Sequence, residues 1–552
     1  MALLVEVEVA EAQVVAAHVQ VVEEDKLNII FMDMKKITYI IASMLILSLP
    51  LSAQSEVDAL RFSREDLYGT ARAMAMGGAF GALGGDLTGV NINPAGIAVY
   101  RSSEIVGTLN LSFEGSSVGN YDANNTKFNM DNLGFVGYFP LRNDVIPFIN
   151  FGFSYNKLKS FNKSIDAVGV PGNSMLDYIA DRSTGINPTD LYMGDDLPDP
   201  FKSQPWLSVL GYNSWLIDDH QDNEGYYYTP LNTGGAIGNE IKTRESGYID
   251  NYDFTIGTTI SNVLNLGLSL SIKDITYRLT SDFWEDYADG SYRLTNWLTT
   301  DGAGVSAKLG AIYRPVNELR IGISYHTPTY YALTETYEAE VEDDMAAYIT
   351  DPDYVQDITN SRRFSNDYDM RTPGKLVASA ATVLGNRFIV SVDYEMVDYS
   401  NMKLFTPSNS MDDSDWYEVD NEYISTDFRN TSTVKIGTEY RFTPKFYGRL
   451  GYAWMQNPYE TVFKESGDAF IPNSNTVYRM EGDANYYTGG IGYRFNQNFF
   501  LDLAIVYKTQ TDDLYPFPNL YSGNREELVI DANPFELENS SFRGLITLGY
   551  KF

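Results

Sequence analysis

The chain has 552 residues, 14% of them aromatic (41 Tyr, 29 Phe), no Cys and a formal net charge of −34. An acidic excess of this size excludes nucleic acid as a partner, because phosphate would be repelled. The absence of Cys excludes disulfides, thiolate metal sites, thiol nucleophiles and a lipoprotein anchor.

Residues 1–33, beginning "MALLVEVEVAEAQ", carry a loose apolar pattern and precede a second plausible start at Met34. They are expected to be an upstream extension outside the native product. "MKKITYIIASMLILSLPLSAQ" then has a basic Lys35-Lys36 pair, an apolar run from Ile37 to Leu49 and small residues Ser52-Ala53 before Gln54. This is the anatomy of a cleaved signal peptide over 34–53, too short for a spanning helix. The mature chain is therefore expected to be exported.

Residues 54–100 include the Gly-rich stretch "MGGAFGALGGDLTGVNINPAG". No strand precedes it, and neither the dinucleotide fingerprint nor the phosphate-binding loop spacing is present. From residue 101 onward, period-2 alternation recurs near 103–113, 127–139, 148–158, 248–260, 264–279, 303–314, 318–330, 372–384, 387–397, 431–442, 446–455, 483–495, 498–508 and 540–552. These segments read as an all-β, fourteen-stranded antiparallel transmembrane barrel over 101–552.

The connections support that reading. Those at 140–147, 261–263, 315–317, 385–386, 443–445 and 496–497 are short, and those at 114–126, 159–247, 280–302, 331–371, 398–430, 456–482 and 509–539 are long. Strict alternation of this kind matches tight periplasmic turns and long outer loops, so even-numbered strands run down toward the periplasm. Parity places Leu266, Leu268, Leu270 and Ile272 toward lipid and Gly267, Ser269 and Ser271 inward. Likewise Leu319, Ile321, Ile323 and Tyr325 face out, while Arg320, Ser324, His326, Lys435, Glu439, Arg441 and Asp502 face in. Phe139, Tyr313, Phe442, Phe446, Phe495, Phe499 and Phe552 form an expected aromatic girdle at the turns. The chain ends on "SFRGLITLGYKF", and Tyr550 and Phe552 are candidates for the signal read by the barrel assembly machinery.

A lumen of this width cannot be filled by wall side chains, so 54–100 is expected to lodge inside as a small hatch. Gly77, Gly78, Gly84 and Gly85 permit close backbone approach there, and Asn93, Pro94 and Ala95 end it with a tight turn. Asn93 and Pro94 are expected to rest against inward Arg441, Arg494 or Arg543.

The run "ARAMAMGGAFGALGGDLTGVNINPAG", with "LRIGISYHTPTYY", "MRTPGKLVAS", "SVDYEMVDYSNMKL" and "TEYRFTPKFYGRLGYAWMQNP", resembles the outer-membrane long-chain fatty acid and hydrophobic compound transporter family, the FadL/TodX type. The resemblance runs in order from Ala71 to about Pro458. It implies a hatch-plugged fourteen-stranded barrel for passive uptake of fatty acids or other hydrophobic compounds. Ligand would be captured among outer loops, held in an apolar interior pocket, and released sideways after hatch rearrangement. The 89-residue connection 159–247 departs from well-known members.

Within that connection, "PWLSVLGYNSWLI" is apolar amid acidic sequence. Trp206, Leu207, Val209, Leu210, Trp215 and Leu216 are candidates for an exposed ligand-capture patch. The alternative is a loop that packs on its own neighbours. The acidic segments "DDLPDP", "VEDDMAAYITDPDYVQD" and "DDSDWYEVDNEYISTD" are read as a solvated surface. Bridging by divalent cations to lipopolysaccharide and an EF-hand-like site are the alternatives, and ligand spacing supports neither, since "DDSDWYEVDNEY" lacks the EF-hand glycine. No metal site, cofactor or catalytic residue is expected. With only His220 and His326 in the mature chain, a haem receptor of the same barrel family is a weaker alternative, as is a general porin.

Overall fold

The computed structural model describes residues 55–552 apart from 171, 195–196, 221–224, 231–234, 289, 345–357, 386, 408–415, 523–524 and 526. The expected upstream extension (1–33) and signal peptide (34–53) lie outside the described residues, as do parts of the three acidic segments.

All fourteen expected strands are present. They are β1 (Glu104–Val118), β2 (Tyr121–Pro140), β3 (Phe148–Ser160), β4 (Gly238–Ile260), β5 (Leu264–Tyr287), β6 (Gly290–Tyr313) and β7 (Leu319–His326). The ring continues with β8 (Lys375–Leu384), β9 (Phe388–Asp398), β10 (Asn430–Arg441), β11 (Phe446–Met455), β12 (Ala484–Arg494), β13 (Phe499–Tyr515) and β14 (Phe535–Lys551). Each pairs antiparallel with the next. β14 closes on β1 from Glu104↔Lys551 to Ser117↔Glu538. Closure joins the last strand to the first, as a bilayer requires because it offers backbone groups no water.

The short turns follow from local chemistry. Asn143 and Asn496 each accept two backbone N–H bonds through Oδ1, and Ser261 and Asn262 adopt left-handed φ of 51° and 55°. The lipid face reads as expected, with Leu266, Leu268, Leu270, Ile272, Ile321 and Ile323 all exposed. Phe139, Tyr313, Phe442, Phe446, Phe495 and Phe552 are exposed beside the periplasmic turns. Phe552 donates its N–H to the Ser103 carbonyl and lies against the Phe135 ring.

Two connections expected as long loops are not loops. β1 and β2 remain paired up to Val118↔Tyr121, and β5 and β6 up to Tyr287↔Gly290. Above the membrane the polarity of the two faces inverts. On β5 the inward Ser269, Ser271 and Lys273 give way to inward Ile275, Tyr277, Leu279 and Phe283, all buried, while Arg278, Asp282 and Asp286 point out. The alternation that marks a strand persists; only the medium on each side changes.

The upper inward faces enclose a large apolar core with the outer connections. The N-terminal segment enters this core through α1 (Glu56–Ser63), capped by Ser55 and Asp58, then continues through α2 (Ala71–Met74), α3 (Leu87–Ile92) and a tight 3-10 turn at Pro94–Val99. The third connection adds α4 (Met175–Ser183) and α5 (Trp206–Asn213), and the fifth outer connection adds α6 (Glu418–Asp427).

Leu270 stands at mid-height on the lipid face of β5. Leu270→Arg is expected to destabilise the barrel by about 2–4 kcal/mol, read as a lower urea midpoint for folding into lipid vesicles. An unchanged midpoint would move β5 out of the bilayer.

Candidate functional site

The segment 55–100 lies in the lumen, seated on glycines of the wall. Gly257, Gly267 and Gly310 are direct cross-strand partners on β4, β5 and β6. A Cβ on Gly267 would stand 2.2 Å from the Pro94 carbonyl, one on Gly310 2.0 Å from Asn93 Oδ1, and one on Gly257 2.4 Å from Ile97. A second seat is made by Gly437 and Gly451, paired on β10 and β11, where a Cβ would stand 2.3 Å from the Met76 carbonyl oxygen and 2.2 Å from the Gly77 nitrogen. Single glycines weaken a strand, so their presence marks close backbone approach. The plug's own Gly77 (φ +64°) and Gly84 (φ +61°) use conformations that L side chains rarely adopt.

Asn93 ends α3 and caps the following turn, Oδ1 accepting from Ala95 N at 3.1 Å. Its Nδ2 donates to the carbonyls of Gly81 (2.9 Å) and Ala311 (3.2 Å). These carbonyls, rather than the expected Arg441, Arg494 or Arg543, receive it. Arg494 lies over the Tyr447 ring, and Arg543 instead donates to the Leu67 carbonyl near the start of the plug. Pro94 needs no cationic partner because it packs edge-on against glycine backbone.

Polar wall groups satisfy the rest of the plug. Asp393 accepts from the N–H groups of Phe80 and Gly81 at 2.9 and 2.8 Å, and Thr488 and Thr547 accept from Gly77 and Ala71. Ser324 and His326 both contact the Ile92 carbonyl at 2.8 Å. Arg72 grips Glu439 through Nε and Nη2, and Glu439 also receives Arg449, which reaches on to Asp502. A buried group left without a partner is costly, so these contacts define one seating of the plug.

Cavities remain between plug and wall, and three of them combine charged with apolar lining. The outer one, ≈ 150 Å³, is lined by Arg61, Lys159, Lys163, Arg479 and Lys508 with Glu245 and Glu481. The inner one, ≈ 110 Å³, is lined by Lys157, Lys273, Lys308, Lys375 and Lys435 with Glu65 and Glu395. A small periplasmic one, ≈ 40 Å³, holds the Arg72, Glu439, Arg449 and Asp502 network. The interior pocket implied by the resemblance is therefore of mixed lining: charged groups stand beside apolar ones, Leu60, Phe161 and Leu279 in the outer cavity and Leu67, Met74, Ile92 and Met455 in the inner one. Other apolar side chains of the interior pack the plug and the outer connections.

The expected apolar patch is also corrected. Trp206 is 1% exposed, Leu207 8%, Val209 and Leu210 0% and Leu216 1%, and Trp215 is half-buried at φ 59°. The Trp206 ring meets Tyr337 at 4.4 Å and Phe201 at 5.0 Å, while Nε1 donates to the Phe201 carbonyl. An apolar helix in an acidic connection is stabilised by burial against α4 and the strand Tyr330–Asp344 above β7, so the segment presents no open surface.

Among the described residues no group of three or more His, Asp or Glu could hold a metal ion. At the outer end Glu56 accepts from Phe470 N at 2.9 Å beside Asp420, Asp427 and Asp468, the last two paired with Arg525. Burial first, then Asp427, pushes the Glu56 carboxyl well above its usual range.

A closed antiparallel barrel of outer-membrane type, with its N-terminal segment lodged in the lumen, is the class these features define. Residues 286–516 match the family described as "Outer membrane protein transport protein (OMPP1/FadL/TodX)", the same family that the N-terminal run resembles. No curated protein matches the sequence. Similar solved structures include a Pseudomonas aeruginosa FadL homologue, at 13% identity over 88% of this chain and 99% of that one, TM-score 0.49. The Ralstonia pickettii toluene transporter TbuX (14%, 88% and 99%, 0.47) and the P. putida toluene transporter TodX (12%, 88% and 99%, 0.46) are two others.

Two outcomes are expected from this geometry. Gly267→Ala should unseat Pro94 and open a leak to small polar solutes in liposome swelling while the barrel stays heat-resistant on gels. Gly544→Ala, with open space around it, is the silent control. A tight Gly267→Ala barrel would separate the glycine seat from closure. Because the Glu56 pKa is raised, docking of α1 is at full strength below the ordinary carboxyl range and weakens as pH rises through the raised value. Proteolytic nicking near residues 55–63 should increase with pH, and Glu56→Gln should flatten that dependence; a pH-independent wild type would contradict it.

Proposed function

We propose that the protein is an outer-membrane channel for passive uptake of hydrophobic compounds bearing an anionic head, with long-chain fatty acids as the substrate class. The observation that carries this reading is the inner cavity, where five lysines face a lumen blocked by a glycine-seated plug. The apolar lining, Leu67, Met74, Ile92 and Met455 among it, suits a hydrocarbon part, and the lysines add charge-assisted bonds that only an anionic head can take. The plug, with Gly77, Gly78, Gly84, Gly85, Asn93, Pro94 and Ala95, acts as the hatch.

A lateral exit is favoured by the wall itself. Pairing of β2 with β3 stops at Asn132↔Asn156, although β2 continues outward to Tyr121, and both strands carry an irregularity beside the break, at Asp131 and Leu158. A general porin is disfavoured by the filled lumen. A haem receptor is disfavoured because His326 is spent on the Ile92 carbonyl and His220 stacks on Tyr228 in the outer connections. Lipopolysaccharide around the acidic loops and the barrel assembly machinery at Tyr550 and Phe552 belong to the same proposal.

Cells lacking their own uptake channel should gain oleate uptake on expressing this protein, with no swelling of liposomes in small sugars. Sugar permeation would favour the porin, and no oleate uptake would overturn the proposal.

A further inference from the structure

The plug between α1 and α2 crosses the lumen as an irregular segment, and its residues Asp66 and Tyr68 line both the outer and the inner cavity. It is a partition between two chambers. Charge pins it on three sides: Arg64 to Glu481 at 2.8 Å, Asp66 to Lys508 at 3.4 Å, and Glu65 to both Lys273 (2.8 Å) and Lys375 (2.6 Å). Of the five inner-cavity lysines, the two that meet Glu65 differ from the other three in their ion-pair partner. Lys157 pairs with Asp250, Lys308 with Asp253 and Lys435 with Glu395, all carboxylates of wall strands, although Lys308 also donates to Asn91 of the plug. Lys273 and Lys375 take their counter-charge from the plug.

We propose that Lys273 on β5 and Lys375 on β8 form a carboxylate-binding site that Glu65 fills as an internal stand-in, and that an incoming anionic head group opens the partition by replacing it. This rests on the anionic-ligand reading of the function and adds the residues and the means of opening. Each Glu65 oxygen meets one ammonium, the arrangement a free carboxylate would adopt between the two lysines. Withdrawal of Glu65 without replacement leaves two cavity-facing ammoniums uncompensated, which keeps the partition shut. A ligand carboxylate restores the balance, and a neutral molecule does not. The flanking residues stay tied, Arg64 to Glu481 and the Gln456 carbonyl, Asp66 to Lys508, Tyr486 and the Leu158 carbonyl, and Leu67 to Arg543. Among the described residues the hydrogen bonds of the Glu65 side chain go to the two lysines alone, so exchange for a ligand carboxylate acts on that contact.

Octanoate and its neutral isostere octanamide, titrated against the full barrel in nanodiscs, test this. Removing an internal competitor raises apparent affinity by the inverse of the fraction of molecules whose site is free. With Glu65 in place in about nine-tenths of molecules or more, Glu65→Gln should tighten octanoate by about tenfold or more and leave octanamide unchanged. Lys273→Gln, and separately Lys375→Gln, should abolish the preference for octanoate, and each variant is checked for heat-resistant folding. Octanoate affinity within about twofold of wild type in Glu65→Gln would overturn the proposal, given that scale of competition. So would an unaltered preference in the lysine variants. Oleate uptake by wild type separates the readings: its absence sinks the function, whereas uptake with an inert Glu65→Gln sinks only the displaced stand-in.

Discussion

Everything in this molecule depends on the closure of β14 onto β1. A bilayer offers no partner to a bare strand edge, so the backbone hydrogen bonds of the spanning region must close into a ring. Fourteen strands make that ring too wide for its own side chains to fill. A chain that closes its backbone in this way has opened a hole, and the N-terminal segment answers it. The seat is built from wall glycines on adjacent strands, Gly257, Gly267 and Gly310 below Asn93–Ile97, and Gly437 and Gly451 below Met76–Gly77. Backbone packs on backbone because no side chain intervenes. The plug is held by contact over area together with buried polar bonds from Asp393, Thr488, Thr547 and Asn93.

The same strands serve two media. At membrane level the outward face is apolar and the inward face polar; above it the relation reverses, with Ile275, Tyr277 and Leu279 packed inside against α1 and the outer connections. The largest apolar cluster of the described residues therefore sits in the upper part of the barrel, while lower down two smaller apolar clusters between plug and wall stand beside the charged groups. This division explains why Trp206 and its neighbours are buried and why the chambers beside the plug are lined with lysine and arginine. Apolar material stabilises the cap, leaving ionic groups to position the partition below it. Paired charges in that setting give position more than stability.

Much of the architecture was legible in the sequence because it is local. Period-2 alternation, the lipid-facing row on "LNLGLSLSI", the alternation of short and long connections and the terminal Phe552 all depend on backbone geometry and on which side meets lipid. The Gly-rich stretch could be placed in the lumen by elimination. The plug's seat also has a signal in the sequence: wall strands repeat an outward aliphatic residue followed by an inward glycine, as in Ile256-Gly257, Leu266-Gly267, Leu309-Gly310, Ile436-Gly437 and Leu450-Gly451. The segments 114–126 and 280–302 read as loops in the sequence because their alternation has the opposite sense from that of a lipid-facing strand, and above the membrane that sense reverses.

Partner choice was settled only by the tertiary structure. Glu65 meets Lys273 and Lys375 across 208 and 310 residues of chain, and Arg72 meets Glu439 across 367. Nothing in the spacing of these residues distinguishes them from other charges on inward positions. Asn93 reaches carbonyls of Gly81 and Ala311 rather than an arginine, because ring closure and strand register bring those atoms to it. The sequence by itself determined the strands, their faces, their direction and the existence of a plug, since each follows from a local period or a solvent preference. Which atoms the plug touches, which charges it neutralises and where the apolar core lies were decided by closure of the ring, because only closure sets the distances between strands remote in sequence.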